Sequence, residues 1–411
     1  MPPLVLKKGN FMDFAREAAE LLPYIQSHRR HIHRHPELSF QEKETTEYIQ
    51  RELERMGIEV IRFPDYYGLV GILKGTREGK TVLLRADIDA LGILEENELD
   101  FCSVHAGVMH ACGHDCHSAM LLGAAKILAA HRNELKGTVK FLFQSAEESG
   151  HGANYYVDHG CLNGVDAAMA MHMMNEIPKG TFNIEAGPRM ASCTDFTLTV
   201  HGTASHGSMP HLGHDAIVAA SAIIMNLQTL VSRQHSPLRP LVVSVGSIRA
   251  GSQFNIVADE VVMKGTIRTF DRDLFASMPK RLEAMAKGTA EAMGCHVSMA
   301  VDTSEPAAIN DHEAIRLSAH AAAEKLYGDC FASMKQKMGS EDFAVIMEKV
   351  PSVLCFLGYH DEKEGTVYPL HSKDFRVNDE ILDKGAALFA EFAYDYLEKE
   401  ACHDGYQSAC L

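Results

Sequence analysis

The stretch TVLLRADID, residues 81–89, decides the fold class. It is a short β-type run that ends at two acidic residues, Asp87 and Asp89. Two later runs repeat this design: TVKFLFQ (138–144) is followed by a pair of glutamates, and DAAMAMH (166–172) ends at a histidine. A helical pattern separates the first two runs. Such alternation predicts an α/β fold with a mixed, mostly parallel sheet and helices on both faces. In such sheets, functional side chains collect at the carboxyl ends of the strands.

The middle of the chain follows a different order. Strand patterns at 195–202, 241–251, 260–270 and 295–301 enclose helical patterns at 214–232 and 273–292. The resulting order, β-α-β-β-α-β, is typical of a ferredoxin-like α+β unit. Because strand and helix patterns resume afterwards, we predict that a unit of residues 190–303 is inserted into one catalytic domain formed by 1–189 and 304–411. A length of 411 residues is typical of two domains.

Composition excludes several classes of protein. The formal net charge of −16 argues against nucleic acid or an anionic membrane as a partner. No stretch approaches the roughly 20 apolar residues that span a bilayer. The first residues, 1–17, lack the apolar core of a signal peptide. Because the ten cysteines are scattered and no export signal is found, a reducing, cytoplasmic location is predicted.

The stretch MHACGHDCHSAM, residues 109–120, is dense in side chains that bind metal ions. Cys112 and His114 flank Gly113, whose flexible backbone lets both face one centre. Taken singly, acidic pairs, histidines and cysteines in such positions have ordinary structural explanations. Several clusters of potential ligands that coincide with strand ends instead favour a metal site. Two bridged metal ions can activate water and stabilise an oxyanion, as hydrolysis of an amide requires.

The run HRRHIHRHPELSF, residues 28–40, also contains four histidines. Its arginines, Arg29, Arg30 and Arg34, would repel a cation, and its pattern is that of a helix ending before Pro36. We therefore expect this run to be structural.

The motifs together resemble those of the metal-dependent amidohydrolases in the aminoacylase/carboxypeptidase clan. That group includes hippurate hydrolases, N-acyl-amino-acid deacylases and plant auxin-conjugate hydrolases. The matching stretches are HRHPELSFQE, LRADIDAL, GVMHACGHDCH, QSAEE, MHMMNEIPKG, GTASHGSMPH, NIVAD, GTIRTFD, GSEDFA and LHSKDF. They extend from residue 28 to about 375, so that the resemblance covers nearly the whole chain.

The resemblance implies two divalent metal ions per subunit, zinc or manganese. The implied ligands are Cys112, which would bridge both ions, and His114, Glu148, His172 and His371. His110, Cys116 and His117 are not expected to bind metal.

The resemblance also implies catalytic roles. Glu147 would be the general base that takes a proton from a metal-activated water and passes it to the leaving amine. Asp89 would orient a ligand or hold the base. Asp87 lies where other branches of the clan keep a histidine ligand, so its role stays open.

The inserted unit would be the family's lid domain, which commonly carries the dimer contact, so a homodimer or higher homo-oligomer is expected. His206 resembles the lid histidine that reaches a neighbouring active site and stabilises the tetrahedral oxyanion. Asn255 and Arg268 resemble groups that bind the substrate's α-carboxylate; for Arg268, a strand-end ion pair is equally open. Gly92, Ala258 and Cys193 depart from the family pattern without removing a ligand.

These expectations predict an amidohydrolase that cleaves a small N-acyl amino acid to a carboxylic acid and a free amino acid. A dipeptidase or carboxypeptidase of the same fold stays open, because the pocket residues are not identified. A cysteine hydrolase with Cys112 as nucleophile would leave Glu147, Glu148, His172 and His371 unused. A non-catalytic metal-binding protein would need no general base.

Overall fold

The structure is a computed structural model that describes residues 12–398. The expectation about a signal peptide depends on the start of the chain, of which 1–11 lie outside the described residues. The first elements are α1 (Phe14–Glu20), α2 (Leu22–Arg34), α3 (Lys43–Arg55), β1 (Glu59–Arg62), β2 (Gly68–Lys74), β3 (Arg77–Asp87), α4 (His114–Ala130), β4 (Lys136–Gln144), α5 (Gly152–Asp158), β5 (Ala167–Pro178) and β6 (Phe182–Asn183).

The middle elements are β7 (Gly187–Met190), β8 (Ser192–His201), β9 (Ser205–His206), α6 (Ala216–Ser232), β10 (Leu241–Ala250), β11 (Ile256–Val257), β12 (Glu260–Thr269), α7 (Arg272–Glu291), β13 (His296–Glu305) and β14 (Ala308–Asn310). The last are α8 (Glu313–Tyr327), α9 (Phe343–Met347), β15 (Ser352–His360) and α10 (Leu382–Glu398).

Contacts within the chain define two compact units. Among the described residues, the first unit comprises 12–185, 312–334 and 350–398. The second comprises Ala186–Asp311 and Lys335–Lys349.

The first unit is built on a seven-stranded sheet in the order β1-β2-β4-β3-β5-β15-β6. Its four central strands, β4, β3, β5 and β15, are parallel, as predicted. Strands buried on both faces read as continuous apolar runs, which explains sequences such as SVLCFLG in β15. Helices α4 and α10 pack closely together because Gly385 has no side chain: a Cβ there would lie 2.0 Å from Met120 Sδ.

The second unit contains the predicted ferredoxin-like arrangement. Its four strands are antiparallel and lie in the order β10-β12-β8-β13. Helices α6 and α7 pack against this sheet and against each other, and their apolar residues form a separate core. The core of the second unit is therefore built by the same β-α-β-β-α-β segment that the sequence indicates.

The second unit is larger than the predicted insertion of 190–303. It also includes 186–189, 304–311 and 335–349. The added segments are held by backbone pairing: β7 pairs with β14, and the Ala191 N–H donates to the Lys337 and Gly339 carbonyls. The roles of catalytic and lid domain for the two units stay predictions.

Within residues 12–398, every helix is too short or too polar to cross a lipid bilayer.

Candidate metal centre

The candidate centre lies at the carboxyl ends of β3 and β4 and beside the middle of β5, which continues past the predicted end at His172 to Pro178. Overlapping groups of potential ligand atoms occur there, each with all atoms within 4.8 Å of one another. Three of them contain only predicted ligands and the predicted base: Cys112–His114–His172, Cys112–Glu148–His371 and His114–Glu147–Glu148. Asp87–His114–His117 is a further group that shares His114. The structure thus brings together the five predicted metal ligands and the predicted base.

The start of α4 presents Cys112 and His114 to this centre. Gly113 adopts a left-handed conformation with φ of 92° and precedes the first residue of the helix. Few residues other than glycine adopt this conformation without strain. A Cβ at Gly113 would also lie 3.2 Å from Met173 Cβ, so space restricts this position as well.

Asp89 fixes the orientation of His114. The His114 Nδ1 lies 2.9 Å from the Asp89 carbonyl oxygen and 3.2 Å from Oδ1. A carbonyl oxygen only accepts hydrogen bonds, so Nδ1 carries a proton, and in the neutral ring Nε2 keeps its lone pair. The other carboxylate oxygen of Asp89 accepts hydrogen bonds from Ser39 Oγ (2.7 Å) and the Glu148 N–H (3.0 Å). Asp89 therefore positions one predicted histidine ligand and the backbone of a second predicted ligand, Glu148.

Two buried polar atoms at the centre fit a bound cation. His114 Nε2 and Glu148 Oε1 are buried and have no hydrogen-bond partner. They lie 3.8 Å apart, and His371 Nε2 lies 3.4 Å from the same Glu148 oxygen. Buried polar atoms without partners carry a large cost that coordination to a metal ion removes. The imidazole, thiolate and carboxylate donors present are also those that zinc and manganese accept.

The electrostatics of the centre favour a cation. Burial alone lowers the pKa of His114, but Asp87 and Asp89 outweigh this effect and raise the pKa to about 10. Burial, followed by the carboxylates of Glu148 and Glu147, raises the pKa of the Cys112 thiol well above its usual range. Nucleophilic cysteines need an electropositive environment that lowers this pKa. The surroundings of Cys112 therefore argue against a cysteine hydrolase.

Left-handed backbone conformations surround the centre. Outside glycine, the described residues with positive φ are Phe40, Ala146 and His371. Ala146 immediately precedes Glu147, and its N–H donates to Glu42 Oε1 at 2.8 Å. His371 is itself a predicted ligand, and its N–H donates to the Ala111 carbonyl at 2.8 Å. Backbone strain of this kind persists where the surrounding structure holds it, commonly at functional sites.

The histidine-rich run forms a support for α4 and contributes no member to the ligand groups found in the described part of the chain. Within this run, α2 ends at Arg34, before Pro36, as predicted. Arg29 Nε lies 2.8 Å from Asp115 Oδ2, and His33 Nδ1 lies 2.9 Å from the same oxygen. Asp115 follows His114, so this buried network anchors the start of α4. Sequence patterns do not indicate this network, because no local pattern pairs residues 82 positions apart.

His206 and Asn255 lie together in the second unit. His206 on β9 pairs with Ile256 on β11, and the Gly207 N–H donates to the Asn255 carbonyl at 2.7 Å. The Ser208 N–H donates to His206 Nδ1 at 3.1 Å. In a neutral ring the proton is therefore on Nε2, where an exposed N–H can donate to a ligand oxygen.

Arg268 lies near the far end of β12, roughly 25 Å along the strand from the end next to β11. Its Nε donates to Thr266 Oγ1 at 3.2 Å, and its strand partner is Cys193. Glu305 pairs with Cys193 from the other side. Within one chain, Asn255 and Arg268 are thus too far apart to bind the same carboxylate.

A sheet with parallel central strands, a cluster of cysteine, histidine and glutamate side chains at their ends, and an inserted ferredoxin-like unit define a two-unit metallohydrolase. The chain belongs to peptidase family M20/M25/M40, whose sequence profile matches residues 83–395. The predicted family resemblance is confirmed, and the protein is a hydrolase of this family.

Relatives with different activities are similar over most of their length. The N-acetylcysteine deacetylase of Bacillus subtilis is 39% identical over 90% of this chain and 96% of its own. Thermostable carboxypeptidase 1 of Saccharolobus solfataricus is 34% identical over 93% of this chain and 98% of its own. The crystal structure of the Bacillus subtilis YXEP protein, a dinuclear metal binding peptidase from the M20 family, superposes with a TM-score of 0.80. It is 36% identical and covers 92% of this chain and 99% of its own.

Proposed function

We propose that the chain is a metal-dependent amidohydrolase that cleaves small N-acyl amino acids to a carboxylic acid and a free amino acid. The observation that carries the proposal is a general-base candidate, Glu147, beside buried ligand atoms without partners, His114 Nε2 and Glu148 Oε1. The similarity to an N-acetylcysteine deacetylase supports this substrate class. A purely metal-storing protein would not need the additional carboxylate.

The proposed ligands are Cys112, His114, Glu148, His172 and His371, which would hold two divalent ions. Bound there, the ions would polarise the scissile carbonyl and lower the pKa of the attacking water. Thiolate and imidazole donors favour zinc, whereas the carboxylate donor also suits manganese. The eight described cysteines are free, which supports a reducing location such as the cytoplasm.

Glu147 would move the proton during the reaction. Its carboxylate accepts a proton from the attacking water as the oxygen bonds to the carbonyl carbon. The same carboxyl group then donates that proton to the amide nitrogen as the C–N bond breaks, which releases a neutral amine. Asp89 holds His114 and the Glu148 backbone in place during these steps through the hydrogen bonds described above.

A homodimer or higher homo-oligomer formed through the second unit would complete the substrate site. His206 would donate a hydrogen bond to the developing oxyanion in a neighbouring subunit, while Asn255 and Arg268 would bind the α-carboxylate. The separation of Asn255 from Arg268 within one chain supports contributions from two copies. Exposed apolar side chains in the second unit support a protein contact there; they include Val218, Met225, Ile248 and Phe254.

A carboxypeptidase or dipeptidase is the second candidate, because a thermostable carboxypeptidase is similar over nearly its whole length. The two functions share the metal centre and the base. They differ in the group on the carbonyl side of the scissile bond, which is an acyl group in one case and an amino acid in the other.

The test is release of free α-amine from a panel of N-acyl amino acids and dipeptides, with zinc, with manganese and with chelator. Glu147→Gln should lose at least about 100-fold in kcat while it keeps its bound metal, because general-base catalysis supplies 10²–10⁴-fold. Glu98→Gln, the same change at an exposed site, is the control. Cleavage of dipeptides alone would establish the second candidate, and full activity of Glu147→Gln would contradict the assigned base.

A further inference from the structure

Asp87 is fully buried at the end of β3, and both of its carboxylate oxygens are engaged by side chains. Oδ1 lies 2.6 Å from His117 Nδ1, and Oδ2 accepts a hydrogen bond from an Arg85 guanidinium nitrogen at 2.7 Å. Arg85 balances the carboxylate charge. Two neighbouring side chains therefore hold this carboxylate in a fixed orientation.

His117 is engaged at both ring nitrogens. Its Nε2 lies 2.9 Å from the Met173 main-chain nitrogen. A peptide N–H only donates, so Nε2 is the acceptor and the ring proton is on Nδ1, facing Asp87. Asp87, His114 and His117 are close enough to form a ligand group. The hydrogen bonds nevertheless engage both ring nitrogens of His117, so this ring has no lone pair left for an ion.

The hydrogen bond from His117 ends next to a proposed ligand. Met173 follows His172, and the Met173 carbonyl oxygen lies 2.7 Å from His172 Nδ1. The carbonyl only accepts, so the His172 proton is on Nδ1 and its Nε2 keeps a lone pair. That Nε2 lies 3.5 Å from Cys112 Sγ. Hydrogen bonds therefore run from Arg85 through Asp87 and His117 to the backbone that orients His172.

We propose that Asp87 and His117 are positioning residues that orient the ligand His172, just as Asp89 orients the ligand His114. Residues 87 and 89 project to the same side of the chain, because side chains alternate in an extended segment. One carboxylate acts on its histidine directly, and the other acts through His117. This inference rests on the metal site of the proposed function. It does not depend on the substrate.

The first test determines which ring nitrogen of His117 carries the proton in metal-free protein. The protein is labelled with ¹⁵N-histidine and its ring ¹⁵N chemical shifts are measured. The signals that disappear in His117→Leu are assigned to His117. We expect a protonated Nδ1 and an unprotonated Nε2. In Asp87→Asn, the amide can donate to Nδ1 and force the proton onto Nε2, where it would face the Met173 N–H. A wild-type His117 protonated at Nε2 or at both nitrogens would overturn the proposal.

The second test is titration of metal-free protein with Co²⁺, followed by the thiolate-to-cobalt absorption band. Loss of a group that orients a metal-bound histidine typically costs 10- to 100-fold in metal affinity. We expect a loss of that size for Asp87→Asn and for His117→Leu. His110→Leu is the matched control, since His110 is buried in the same stretch and neither of its ring nitrogens has a hydrogen-bond partner.

Wild-type affinity in both variants would overturn the proposal, as would an equal loss in the His110→Leu control. If His117→Leu does not fold, the Co²⁺ affinity of the nearly isosteric Asp87→Asn variant tests the proposal. A wild-type protein that binds Co²⁺ with the predicted tautomer but cleaves no N-acyl amino acid would refute the proposed function and leave this inference intact.

Discussion

Glu42 is a buried carboxyl group that supports the residue before the proposed base. One of its oxygens accepts the Ala146 N–H, and the other is buried without a hydrogen-bond partner. Burial, followed by the nearby Asp89 carboxylate, raises the pKa of Glu42 from 4.5 to about 8. The folded protein therefore binds a proton at this position that the unfolded chain releases near pH 4.5.

Stability should accordingly fall as the pH rises from about 4.5 towards 8, because ionising Glu42 is easier in the unfolded chain. Glu42→Gln removes this dependence and keeps the oxygen that accepts the Ala146 N–H. We expect the variant to gain stability relative to wild type at pH 8, and the gain to shrink at pH 5. Urea unfolding in the presence of chelator at both pH values measures this difference in stability. Glu44→Gln, the same change at an exposed position, is the control. An equal difference at both pH values would contradict the raised pKa.

Asp115 neutralises a fully buried arginine, Arg29, and also contacts His33. Arg29 lowers the pKa of Asp115 far below its usual range against the opposing effect of burial. Asp115→Asn leaves the Arg29 charge buried and unbalanced, so we expect a loss of about 3–5 kcal/mol in the free energy of unfolding. Glu20→Gln is the control: it breaks an exposed ion pair with Arg16 and should change the free energy of unfolding by less than about 1 kcal/mol.

At the scale of single residues, sequence patterns indicated candidate metal ligands more readily than the residues that support them. Cys112 and Glu148 stand out because each belongs to a short run of potential ligands. The partners of Asp115 and the acceptor for the Ala146 N–H come from α2 and the loop after it, far away along the chain. No periodicity connects such pairs, so only the fold reveals them.

Among the elements, α4 depends most on its first turn. Gly113→Ala would place a side chain in a left-handed conformation, which costs roughly 1–2 kcal/mol, and would press against Met173. We expect thermal stability and Co²⁺ affinity to fall together, because Cys112 and His114 flank the altered position. Gly92→Ala is the control, since a Cβ there meets nothing within 4 Å. Unchanged Co²⁺ binding by Gly113→Ala would show that this turn does not set the ligand geometry.

Long apolar elements were predictable, and short ones were not. Clear sequence patterns mark the strands β3, β4, β5 and β15 and the helices α4, α6 and α7. Each has either a regular spacing of apolar residues or a long apolar run. The two-residue strands β9 and β11 carry no such pattern, although their pairing brings His206 beside Asn255. Residues 335–349 join the second unit through backbone hydrogen bonds to Ala191, which any side chain permits.

For the whole molecule, metal binding should stabilise the folded state, because the unfolded chain does not hold the ligands together. An ion at about 100 times its dissociation constant adds about 2.7 kcal/mol. We expect zinc or manganese to raise the melting temperature of chelator-treated protein by several degrees. His172→Ala should remove this rise, and His296→Ala, at an exposed position in the second unit, should retain it. An equal rise in both variants would place the stabilising ion elsewhere.

The proposed ligands are far apart along the chain, so they are synthesised at different times. His371 leaves the ribosome about 200 residues after His172, and β15, the neighbour of β5, is also synthesised late. At about 5–20 residues per second, roughly 10 to 40 seconds pass between them. During that time the nascent chain exposes an unpaired edge of β5 and holds only part of the proposed ligand set. With the proposed ligands, tight metal loading would thus be a late event, and until β15 pairs with it the edge of β5 is a template for aggregation.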